Sequence, residues 1–262
     1  MRRIFAIILM AGIATITARS ETFWVKKDWK EWSKGDCNKM LQDSPWTKKW
    51  SKSVVILSAA SAGRSGANRE GAGGDNSVRV DYFVQIGSAL PVREGSVRKM
   101  QIEQKYDQMD DDHKKALDGE AEKILSPTYD DFILVHVVYE SNVQLFERQL
   151  AAHFQGIPDG SIPLGVYMIN ERGEHIGPSR WVSPHSGALE FEMYIPRNVK
   201  GEPVIRPTDK KFSIQFRAPA VGSQATGNPG NVRNTNVPKM GNELVLVEFK
   251  LESMMWNGKL TY

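Results

Sequence analysis

Residues 131–140, DFILVHVVYE, form an apolar run broken only by His136 between its charged ends. A strand that is apolar on both faces belongs in the middle of a sheet. A lone histidine in such a run reads as a buried, hydrogen-bonded side chain. Ser141 or Asn142 then caps a helix whose apolar stripe is Val143, Phe146, Leu150 and Phe154, and Gly156 ends it. Upstream, Val54–Leu57 reads as a short buried strand and Val78–Ile86 as a second. The two make a hairpin with the Gly/Ala/Ser-rich stretch 58–77 as a flexible loop at its tip. Downstream of Pro158 the texture changes. Segments 164–170, 174–182, 188–196, 211–217 and 243–256 are strand-like, with hairpin signals at Asn170–Gly173 and Asn257-Gly258. Polar, Gly- and Pro-rich loops are expected at 199–209 and 219–241. These readings predict an α+β fold. A mixed helix/strand part over 21–157 shares one core with a β-rich part over 158–262, built as an antiparallel sheet or small sandwich.

Between these regions, 91–126 reads as helix. Val97, Met100 and Gln104 mark one stripe, and Ala116, Leu117, Ala121, Ile124 and Leu125 another. The run Asp110-Asp111-Asp112-His113 fits an acidic first turn favoured by the helix dipole. It lacks the alternating spacing of a calcium loop.

Residues 22–52 hold five of the seven tryptophans: Trp24, Trp29, Trp32, Trp46 and Trp50. Ser33-x-x-Asp36 resembles a capping box and opens a helix over 34–42, with Cys37, Met40 and Leu41 on one face. Ser44-Pro45 reads as a second helix start, which would stack Trp46 on Trp50. The indoles admit two readings. They cover one end of the core, or Trp29, Trp32, Trp46 and Trp50 form an aromatic platform for sugars, peptides or lipid headgroups.

Met1-Arg2-Arg3, the uncharged run Ile4–Ile16 and the small residues Ala18 and Ser20 have the order of a secretory signal peptide, cleaved after Ser20. The apolar run spans about 20 Å as a helix, short of the ~30 Å hydrocarbon core, so cleavage is expected rather than anchoring. No later stretch is long and apolar enough for a membrane span. The localisation expected is export, to the periplasm or outside the cell. The chain has 34 Lys and Arg against 31 Asp and Glu, and the leader's three arginines account for the whole excess. A neutral body argues against non-specific nucleic-acid binding. Cys37 is the only cysteine, so no intramolecular disulfide forms, and it reads as a small packed apolar residue.

Nucleotide-loop, serine-hydrolase and zinc-protease spacings are absent, and no cofactor, metal site or catalytic residue is implied. The nearest approach to a catalytic constellation is Glu174-His175 with His185. The run Trp29-x-x-Trp32-Ser33-x-x-x-Cys37-x-x-x-Leu41-x-Asp43-Ser44-Pro45-Trp46, with Tyr194–Arg197 and Trp256–Lys259, resembles a group of exported bacterial proteins of unknown function. They begin with a signal peptide and this Trp-rich segment and end in a strand-rich half. That resemblance implies export and no particular activity. The expected function is a non-enzymatic envelope or secreted binding module, its partner an unidentified protein or envelope component. The alternatives are an exported hydrolase with a dispersed site and a structural component of the envelope.

Overall fold

A computed structural model describes residues 23–55, 77–185, 187–219 and 242–262. The leader expected over 1–20, and all of the loops expected across 58–77 and 219–241 except residues 77 and 219, lie outside these residues. The chain is α+β with a strand-rich C-terminal region. In chain order the helices are α1 (Phe23–Lys26), α2 (Lys34–Gln42), α3 (Leu90–Glu103), α4 (Asp111–Leu125) and α5 (Gln144–Gln155). The strands of the two main sheets begin with β1 (Thr47–Val55), β2 (Ser77–Ile86) and β3 (Phe132–Ser141). They continue with β4 (Tyr167–Asn170), β5 (His175–Ile176), β6 (Arg180–Val182) and β7 (Glu190–Pro196). Two-residue strands β8 (Asn198–Val199) and β9 (Glu202–Pro203) form a small ribbon, followed by β10 (Lys211–Pro219) and β11 (Asn242–Lys250). A second ribbon pairs β12 (Met255–Trp256) with β13 (Lys259–Leu260).

One sheet is ordered β1-β2-β3-β7-β6 and the other β11-β10-β4-β5, and every pairing is antiparallel. The run 131–140 is the middle strand of the larger sheet, as its two apolar faces require. The expected hairpin is also present, with Val54 opposite Val78. Inner faces meet through Phe216, whose ring lies 5.5 Å from Tyr82 and 5.4 Å from Phe191. Helix α5 contributes Phe146, Leu150 and Phe154 to the same core. Because β7 pairs with β3, residues on both sides of 157 build one sheet, and a single cluster of buried side chains spans both parts.

Two local expectations are corrected. Ser44-Pro45 does not start a helix. A turn closed by Thr47 N–H to Ser44 C=O leads into β1, where Lys48, Trp50, Lys52 and Val54 share one face by strand alternation. The pairing with β2 outweighs the Ser-Pro start signal. The helix expected over 91–126 is two helices. Lys105 takes a left-handed conformation (φ 57°), a short 3-10 turn follows over Tyr106–Gln108, and Asp110 caps α4 by accepting from the His113 N–H. The capping box at Ser33 and Asp36 is present as read, and Cys37 is buried in α2. No helix among the described residues is long and apolar enough to cross a membrane.

Candidate functional site

Residues 96, 99, 100 and 103 of α3, with the C-cap Gln104, recur at the spacing of one helical face. This stripe and the outer face of the larger sheet bound an open groove of about 420 Å³, with Leu41 and Gln42 of α2 also in its lining. That volume lies within the ~300–1,000 Å³ typical of small-ligand sites. Val92, Glu94, Gly95 and Val97 of α3 are buried.

Strand register decides what faces the groove. Val84 opposite Val137 and Val137 opposite Phe191 set the inner face, so Phe83, Gln85, His136, Val138 and Glu190 point outward. Glu190 stands directly across from Val138, with His136 and Glu140 two residues to either side on β3. Diagonal neighbours of this kind are within reach of long side chains. His136 Nε2 lies 3.0 Å from Glu190 Oε2. Hydrogen bonding from His136 holds the Glu190 carboxyl below its ordinary range, aided by the charge of His136 and His185 and opposed by burial. Gln85 is buried, and its Nε2 donates to Leu41 C=O at 2.8 Å. That bond fixes the amide. No donor among the described residues reaches Oε1, on a side chain that lines the groove.

The four indoles read as a platform do not share an open face. Trp32 and Trp46 are fully enclosed (0% exposed), and Trp29 and Trp50 pack half-buried against the core. Trp24, Trp46, Trp256, Trp32 and Phe23 form a chain of edge-to-face contacts with centroids 5.2–6.2 Å apart. The indoles thus cover one end of the core and bring residues 24–46 against residue 256. Glu174 is held by Asn170 (2.6 Å) and Arg172 (2.8 Å), and His175 meets Tyr167 edge-on. Both belong to the smaller sheet, whereas His185 follows β6 of the larger sheet and adds to the field on Glu190. The three are not brought together. Asp110 caps α4 and its carboxylate also contacts His113 Nδ1 at 2.7 Å, which accounts for the acidic run.

The sequence reading missed Gln85, Glu140 and Glu190. The available signal was polar residues inside otherwise apolar strands, as in VRVDYFVQI and in the Glu-x-Glu alternation of ALEFEMYIP. Among the described residues, no three His, Cys, Asp or Glu side chains converge as a metal site requires. Comparison with known proteins finds no matching family model, no matching curated protein and no matching solved structure.

Proposed function

We propose that this is an exported binding protein that holds a small polar ligand between α3 and the outer face of the larger sheet. One observation carries the reading. Apolar Phe83 and Val138 of the sheet and Met100 of α3 line the groove together with polar groups that the fold holds in place, above all the tethered Gln85 amide and the His136–Glu190 contact. Ligand sites combine apolar walls with a few fixed polar groups in this way. Export is supported by the leader-like residues 1–20 and by the resemblance of the Trp-rich segment to exported bacterial proteins.

The test is a library of small metabolites screened by amide NMR. Hits shift the Gln85 side-chain amide, and Ser96→Trp, which fills the groove from α3, abolishes them. A library that yields no saturable hit, or hits that survive Ser96→Trp, overturns the reading. Amino-terminal sequencing of protein recovered from envelope and culture fractions tests export, and an intact Met1 on cytosolic protein rejects it.

The His136–Glu190 contact favours a second reading, hydrolysis with His136 as general base. No Ser, Thr or Cys side chain among the described residues is hydrogen-bonded to His136, so the nucleophile would be water. Intact recovery of hit compounds after long incubation supports binding. Conversion that is lost in His136→Asn supports catalysis.

A further inference from the structure

The polar groups that line the groove differ in sign, and this names a ligand class. We infer, on the basis of the binding role proposed above, that the groove takes an extended alkyl-ammonium chain, as carried by lysine-bearing peptides and by polyamines. Its charged lining is mostly carboxylate. Glu103, Glu140 and Glu190 line it as carboxylates, and Gln85 offers an amide oxygen because its Nε2 is committed to Leu41 C=O. Lys99 is the only Lys or Arg among the described residues of the lining, and Lys34, outside it, pairs with Glu103 at 3.5 Å. Lys49, which lies 5.2 Å over the Phe83 ring, is already paired with Asp81 at 2.8 Å. Three carboxylates against Lys99 and Lys34 leave the formal local balance anionic by one charge, which favours a donor-rich cation. A bare metal ion is a poor match, since these carboxylates do not converge with a third ligand among the described residues. Carboxylates on separate elements, α3, β3 and β7, match ammonium groups spaced along one chain. Phe83 and Val138 on one wall and Met100 on the other suit the intervening methylenes.

Isothermal titration of the purified protein with spermidine, trilysine amide, N-acetylglucosamine and succinate tests this. Spermidine or trilysine binds with one site per chain, more weakly as salt rises, and the tighter of the two identifies the source of the ligand. Glu140→Gln and Glu190→Gln each weaken that binding about tenfold, as the loss of one charged hydrogen bond predicts, and Ser96→Trp removes it. Glu202→Gln, an exposed carboxylate paired with Arg206, leaves it unchanged and controls for bulk charge. Thermal melts confirm that each variant is folded. Cation binding that the double Glu→Gln variant retains overturns the proposal. Preferential binding of the sugar or succinate, blocked by Ser96→Trp, also overturns the ligand class and leaves the groove as a binding site. Failure of all four probes, together with an empty library screen, removes both.

Discussion

The indole Nε1 of Trp46 donates a 2.7 Å hydrogen bond to the carbonyl oxygen of Thr261, a residue 215 positions away. Trp46 is fully buried, and the Trp256 ring meets it edge-on at 6.2 Å. Nearby, the Arg197 guanidinium donates to Tyr262 C=O and lies 4.8 Å over the Tyr262 ring. Residues 254–262 are therefore held by groups that come from much earlier in the chain.

Trp46→Phe keeps most of the ring and loses the donor, leaving a carbonyl unpaired. It lowers stability by about 1–2 kcal/mol. Trp46→Ala also opens a cavity and costs about 3–5 kcal/mol. Urea denaturation of both variants separates the hydrogen bond from the packing. Equal losses in the two would contradict this division.

Glu94 sits on the buried side of α3, 8% exposed, and its Oε2 has no partner among the described residues. Burial, reinforced by the charge of Asp28 and partly offset by Arg93, pushes its carboxyl up to about 7. A group raised in the folded state favours folding at low pH, and that contribution is lost as pH climbs through 7. Glu94→Gln should match the wild type near pH 4.5 and be more stable by about 3 kcal/mol at pH 8. Denaturation midpoints at the two pH values check the sign. A variant less stable at pH 8 rules out this assignment.

Asp81 shows the opposite case. Its carboxylate is 1% exposed and is held by Ser51 (2.6 Å), Lys49 (2.8 Å) and Arg79 (3.2 Å). Burial alone would raise it, but these partners outweigh burial and hold it below the ordinary carboxylate value. The stabilisation is then full above about pH 5 and fades as pH falls through the carboxylate range. Asp81→Asn should cost about 2 kcal/mol at pH 7, and the gap to wild type should narrow by about pH 3. A pH-independent gap would assign the loss to packing.

A Cβ on Gly95 would stand 3.0 Å from Met40 Cγ and 3.5 Å from Trp32 Cζ3, both on fully buried side chains. Glycine inside a helix costs roughly 0.5–1 kcal/mol relative to alanine, so close approach of the Trp-rich segment explains its presence. Gly95→Val overpacks this contact, and calorimetry should show a loss of about 1–3 kcal/mol.

The elements most legible in the sequence were those whose pattern and environment agree. The run 131–140 reads as central because both faces are apolar, and Asn257-Gly258 reads as a turn because both residues adopt positive φ, 49° and 75°. Ser44-Pro45 misleads because its start signal is local while the β1–β2 pairing is not. The break after Gln104 depends on a left-handed Lys105, which no residue preference marks. Little of the groove was legible. His136 stood out, but only the β3–β7 register brings Glu190 to it, and only the seating of α3 turns Met100 and Gln104 toward a cleft rather than the core.

The position of Trp256 between Trp32 and Trp46 also makes the end of the chain the closing piece of the core. Every strand of both main sheets is synthesised before Trp256, and β3 keeps an open edge until β7 has been made. A chain cut before residue 256 keeps every strand of both main sheets but leaves an unfilled gap among its indoles, so closing that part of the core waits on the last residues.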